Sequence, residues 1–335
     1  MHEPPWGILI VVYLFLAGGS AGAFITSTAV LLATGEKNRR TIAWGAYLTP
    51  IPISIGTGLL VLDLGRPLNA FHLFMTIVPT SPMSFGSWLL SIFILLSVVY
   101  AALLLPKSVL TRALRFVPEK RREALDPDGP MLVRVRHALA TVGLPLAIGV
   151  AIYTAILLGA AAFPLWTLPL MPVLFVISAT STGLAAVMFC VLLRSRGEEP
   201  SAHSKKEIGL LLRVDLALLV LEVVVLLLMI LYSRLGTSAV RHVWDVLLTG
   251  NFSWMFWLGP VLIGMLAPIV LEFIELRHER HPAPTPVVAN PTPWLGLLIS
   301  LFVLLGGFAL RFVIVYAGQT PPGAEIVRVA VESAH

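Results

Sequence analysis

Five polar side chains in the first half of the sequence combine hydrogen-bond donors with groups that exchange protons: Tyr13, Asp63, Arg66, His72 and Tyr153. A phenol donates a hydrogen bond to a carbonyl oxygen, a carboxylate or imidazole takes up and releases protons, and a guanidinium holds a carboxylate ionised. Asp63 and Arg66 belong to the run Asp63-Leu64-Gly65-Arg66-Pro67, and His72 follows shortly after. They read equally well as an ion pair at a helix end and an ordinary surface histidine. Tyr13 and Tyr153 lie roughly 12 and 15 Å from the ends of apolar segments at ~1.5 Å per residue, deep for interfacial anchors. Converging on one place, the five would form a polar pocket in an apolar surround, the usual form of a small-molecule site.

A second set lies further along. Glu222 falls near the middle of an apolar run, with Asp215 and Arg213 before it, Glu272 and Glu275 in the next run, and Arg311 in the last. Asp215 with Arg213, and Glu272 or Glu275 with neighbouring basic residues, read as structural pairs. A carboxyl at the depth of Glu222 needs a partner or a proton. It reads either as part of a proton route, with Asp215, or as a protonated structural group.

The elements that must carry these residues are membrane helices. The composition is 57% hydrophobic and 12% charged, about half the charged fraction of a soluble domain. Apolar runs predict eight spans, at about 8–33, 42–64, 84–105, 136–162, 169–194, 207–232, 253–276 and 294–317. Met1-His2-Glu3-Pro4-Pro5 has no basic segment ahead of the first run, which is therefore read as a retained helix. Most of the 23 basic residues fall between spans one and two, three and four, five and six, and seven and eight. The alternate loops and the termini hold only Arg66, Arg234, Arg241 and Arg328. The positive-inside rule then places both termini on the outer side and the five polar groups in the outer half. The same rule accounts for the net charge of +5 without a nucleic-acid partner.

Segments recur at an offset near 160–166 residues: Leu14-Phe15-Leu16 with Leu174-Phe175-Val176, Phe85-Gly86-Ser87-Trp88 with Phe252-Ser253-Trp254, and Tyr153 with Tyr316. Four crossings return a polypeptide to its starting side, so the expected architecture is two parallel four-helix bundles, 1–165 and 166–335. Gly18-Gly19-Ser20-Ala21-Gly22-Ala23 reads as a surface for close helix packing.

Other chemistry is disfavoured. Cys190 is the only cysteine, so the protein alone cannot ligate an iron–sulfur cluster, and none of the eight histidines lies mid-span where a membrane haem needs axial ligands. No Walker loop or zinc-type His/Cys cluster is present.

Several segments together resemble the NrfD/PsrC family, membrane subunits of polysulfide reductase and related respiratory complexes. They are Trp6 with Tyr13-Leu14-Phe15-Leu16-Ala17-Gly18-Gly19, Leu62-Asp63-Leu64-Gly65-Arg66-Pro67, Ser81-Pro82-Met83-Ser84-Phe85-Gly86-Ser87-Trp88 and Tyr153-Thr154. Pro164-Leu165-Trp166, Pro172-Val173-Leu174-Phe175, Leu310-Arg311-Phe312 and Ala317-Gly318 follow in order. The resemblance implies a multi-pass subunit of the prokaryotic inner membrane that binds a quinone, often menaquinone, in the first bundle. It implies electron exchange with an iron–sulfur subunit on the outer face, connected to a molybdenum enzyme or a multihaem cytochrome. Such a subunit is inactive alone. Tyr13 and Tyr153 match the family's quinone-contact positions on the first and fourth helices, whereas Leu9, one turn before Tyr13, offers no hydrogen bond. Asp63, Arg66 and His72 would support proton transfer. A secondary transporter, or a purely structural membrane anchor, is the competing reading of the same helices and carboxylates.

Overall fold

The computed structural model describes residues 6–63, 81–106, 109, 129–195, 202–280 and 293–320, and all regular structure among them is helical. The elements are α1 (Ile8–Thr34), α2 (Arg39–Tyr47), α3 (Pro50–Asp63), α4 (Pro82–Leu103), α5 (Pro130–Gly159) and α6 (Met171–Arg194). After these come α7 (Ala202–Leu235), α8 (Ser238–Leu248) and α9 (Ser253–Phe256). Helix α9 runs on through a π-helical stretch, Trp257–Leu266, into α10 (Ala267–Arg280), and α11 (Pro293–Gly318) is the last described helix.

Seven described segments are long and apolar enough to cross a membrane: Ile8–Asp63, Pro82–Leu103, Pro130–Gly159, Met171–Arg194, Lys206–Leu235, Ser253–Arg277 and Trp294–Gly318. The protein is thus a multi-pass membrane protein. The first segment has 56 residues, about 84 Å as a straight helix against a hydrocarbon core of ~30 Å. It folds back instead. Gly35 ends α1 at φ +65°, in the left-handed region that glycine enters without a Cβ clash, and its N–H caps the carbonyl of Leu31. The returning helices run antiparallel to α1. Ser27 Oγ donates to the Ile42 carbonyl at 2.6 Å, Thr49 Oγ1 donates to the Ser20 carbonyl at 3.4 Å, and Gly56 faces Tyr13. Each step of seven residues, two helical turns, moves both arms of the hairpin by the same distance in opposite senses.

At the centre, α1 packs against α3, α5, α6 and α11, and α6 packs against α7 and α11. The small-residue run of α1 meets a matching run of α6. A Cβ on Gly22 would overlap the Ala179 carbonyl, and one on Gly183 would overlap the backbone of Gly22 and Ala23. Only glycine permits that approach, and helices in lipid gain their attraction from such contact. Arg136 is fully buried in α5 and bonds Glu36 at 2.7 Å, tying the α1–α2 turn to α5. Helix α8, which the apolar-run reading passes over, is a short amphipathic helix that buries Val243, Trp244, Val246 and Leu247.

Candidate functional site

Tyr13 of α1 and Tyr153 of α5 are both buried, at 0% and 2% exposure, and the two phenols are close enough to interact electrostatically. Glycines on the flanking helices lie against both rings. Gly56 of α3 lies against the Tyr13 ring, where an added Cβ would sit 3.5 Å away. Gly86 of α4 lies directly beneath the hydroxyl end of Tyr153, so that any Cβ there would overlap the phenol. The Ser-Pro-Met-Ser-Phe-Gly-Ser segment therefore contributes a gap that seats Tyr153. The hydroxyl of Tyr13 is buried with no hydrogen-bond partner among the described residues. An unpaired buried hydroxyl costs about 1–3 kcal/mol, so the site is short of one acceptor.

Asp63 is exposed at the end of α3. It lies seven residues beyond Gly56, about 10 Å further along the helix than the level of Tyr13. Of the five polar groups, the two tyrosines are brought together and Asp63 stands apart; Arg66 and His72 lie outside the described residues.

The motif aromatics near the two ends of the sequence serve packing. Trp166 Nε1 donates to the Ile314 carbonyl at 2.9 Å, its ring covers Gly318, and Trp6 and Phe163 stack against it with centroids 5.4 and 4.6 Å away. Gln319 closes the cluster by accepting from the Trp6 N–H and donating to the Trp6 carbonyl, both at 3.0 Å.

A second polar assembly lies inside α6, α7, α10 and α11. Glu222 is 4% exposed and hydrogen-bonded by Ser178. Arg311, 1% exposed, is its electrostatic partner and donates to Ser178 Oγ at 3.3 Å, to the Gly307 carbonyl at 2.6 Å and to the Leu14 carbonyl of α1 at 3.2 Å. Its guanidinium lies 6.0 and 5.7 Å from the ring centroids of Phe15 and Phe175. Asp215 accepts from Ser181 Oγ at 2.7 Å, and the buried Glu272 carboxyl of α10 lies close enough to interact with it electrostatically. The hydrogen bond of Asp215 thus runs across to α6, while Arg213 is exposed on the same helix.

Ser178, Ser181, Thr182 and Glu222 line a cavity walled by Pro260, Gly264 and Gly306. Its free space of about 10 Å³ is room for about one water. The wall containing Pro260 is the π-helical stretch, a backbone form that recurs at functional sites. Sequence reading singled out Glu222 and Asp215 but not Ser178 and Ser181. A Ser-x-x-Ser spacing puts both hydroxyls on one helix face, a signal too common to stand out.

A family model described as "Polysulphide reductase, NrfD" matches residues 1–322. A polysulfide reductase component of Wolinella succinogenes is 32% identical over 94% of this protein and 94% of its own length. Protein NrfD of Escherichia coli is 28% identical over 94% and 95%, and a component of the selenate reductase of Mesobacillus selenatarsenatis is 25% identical over 95% and 74%. With a matching profile across nearly the whole sequence, the chain belongs to the NrfD polysulphide reductase family of membrane proteins.

Proposed function

We propose that the protein is the quinone- or quinol-binding membrane subunit of a respiratory oxidoreductase complex in the inner membrane of a prokaryote. It crosses the membrane eight times, as two four-helix units (1–165 and 166–335), with both termini outside. The eighth crossing is the return arm of the α1–α3 hairpin, and the loop charges supply the orientation. Relatives whose names make them one component of a multi-part reductase support a role within an assembly. The partners would be an iron–sulfur subunit on the outer face and, beyond it, a molybdenum enzyme or multihaem cytochrome.

The observation that carries the proposal is the Tyr13 hydroxyl, buried, without a hydrogen-bond partner among the described residues, and close to Tyr153. A bound quinone, menaquinone or another, accepts two electrons and two protons, and a quinol releases them. Its carbonyl oxygens supply an acceptor for the Tyr13 hydroxyl, which has none among the described residues, and a second for Tyr153. Tyr13 and Tyr153 hold and orient the head group, and the surrounding helices exclude water. Asp63, at the exposed end of α3, exchanges protons with the outer medium, supported by Arg66 and His72. Tyr153→Phe in the assembled complex is expected to weaken quinone binding about tenfold, the value of one hydrogen bond left unmade. Unchanged quinone affinity and unchanged quinone-linked turnover would sink the assignment.

The second unit supplies a proton route. Glu222, the cavity, Ser181, Asp215 and Glu272 follow one another through the bundle interior. Glu222→Gln keeps the hydrogen bond to Ser178 but cannot carry a proton. It is expected to leave quinone-linked electron transfer in vesicles intact while abolishing any coupled proton movement. Coupling that survives the substitution would return Glu222 to a structural role.

A further inference from the structure

Asp215 of α7 and Glu272 of α10 approach each other inside the second unit, both at 0% exposure. Ser181 Oγ donates to one oxygen of Asp215 at 2.7 Å. The other oxygen, Asp215 Oδ2, and both oxygens of Glu272 are buried without a hydrogen-bond partner among the described residues. Buried carboxylate oxygens are costly without donors, and costlier still when ionised and without a cation. Arg311 does not supply the missing charge, because it is turned to Glu222, to the Ser178 hydroxyl and to the carbonyls of Leu14 and Gly307. Glu275, on the same face of α10, adds further negative charge beside Glu272. The backbone nearby is also rich in acceptors. Pro268 opens α10 directly after the π-helical stretch and has no N–H to give a carbonyl one turn before it. Gly264, four residues before Pro268, lines the same small cavity as Ser181.

We infer that Asp215 and Glu272 bind a dehydrated alkali cation, Na+, between their carboxylate groups. One proton provides one donor to one oxygen, whereas an ion held between the two groups contacts several oxygens at once and offsets their charge. Hard oxygen ligands match a hard cation, and membrane proteins hold Na+ with buried carboxylates and with carbonyls of interrupted helices. A divalent ion fits less well. Ca2+ takes about six to eight oxygens and Mg2+ keeps several of its waters, more than this buried pair and a cavity with room for about one water supply. Glu222, which has Arg311 for its cation, is left to the proton. The inference goes beyond the quinone site and does not depend on it. It gives the pair at the end of the proposed proton route a second ion to hold.

The test measures binding of radiolabelled Na+ to the purified full-length protein in detergent, with quinone affinity determined on the same preparation. The wild type is expected to bind about one Na+ saturably, and its thermal midpoint should rise with sodium chloride but not with choline chloride at equal ionic strength. Asp215→Asn and Glu272→Gln each remove one charge at nearly constant shape, and each should weaken Na+ binding at least about tenfold. The wild-type measurement decides the matter by itself where a variant does not fold. Absence of saturable Na+ binding, an equal rise of the midpoint with choline, K+ bound as tightly as Na+, or Na+ binding that survives both substitutions would each overturn the assignment. A preparation that binds quinone but no Na+ overturns this inference and leaves the quinone reading standing, and one that binds Na+ but no quinone does the reverse.

Discussion

At the residue scale, the chemistry of the protein rests on polar groups whose pairing is incomplete. Tyr13 is the clearest case, and its substitution should move two quantities in opposite directions. Tyr13→Phe removes a buried hydroxyl that has no partner among the described residues, so the quinone-free protein should be as stable or more stable by about 1 kcal/mol in thermal unfolding. Quinone affinity in the same variant should fall about tenfold. A loss of stability would mean that the hydroxyl has a partner within the protein. Arg311 presents the opposite situation. Arg311→Met leaves Glu222 without its cation and strips donors from the Leu14 and Gly307 carbonyls, and breaking a buried pair from one side costs about 3–5 kcal/mol. Adding Glu222→Gln should recover part of that loss, readable as a partial return of the midpoint in denaturation. Depth along an apolar run was enough to mark Tyr13, Tyr153 and Glu222 in the sequence. The set Ser178, Glu222, Arg311 was not legible there. Its members come from three helices, and Ser178 and Arg311 are 133 residues apart.

At the element scale, hydropathy located the helices well because a membrane leaves few choices. The span expected at 169–194 is observed as Met171–Arg194, and the one expected at 294–317 as Pro293–Gly318. What hydropathy could not register is backbone detail. The π-helical stretch Trp257–Leu266 has the same apolar composition as an α-helix, and α8, at 11 residues, is too short for a span-length window. Glycines are where element and site meet. Gly86→Ala places a methyl group against the Tyr153 phenol, so either α4 or the ring must shift. The expected result is a loss of quinone affinity at least as large as in Tyr153→Phe, with the helix itself slightly favoured by alanine. Wild-type affinity in Gly86→Ala would mean that the ring moves freely and that its position does not matter. Gly58, by contrast, has open space around its Cβ direction and tolerates the same change.

At the scale of the whole molecule, the recurrence at about 160 residues acquires a physical counterpart. Gly22 and Gly183 are 161 positions apart and touch each other. The proposed division into 1–165 and 166–335 would place this contact between the two units. The units are nevertheless not independent. Arg311 of α11 bonds a carbonyl of α1, Trp166 bonds α11, and Trp6 and Gln319 bond each other at 313 residues' separation. This arrangement sets the order of events during synthesis. At about 5–20 residues per second, α1 waits roughly 15–60 s before α11 exists. Throughout that interval the Leu14 carbonyl lacks its donor, the α1 glycine face is only partly covered, and the N-terminal backbone at Trp6 is unclamped. Helix α11 is therefore the clasp of α1, and a nascent polypeptide stopped before α11 presents an unfinished surface by which a membrane protease can recognise it.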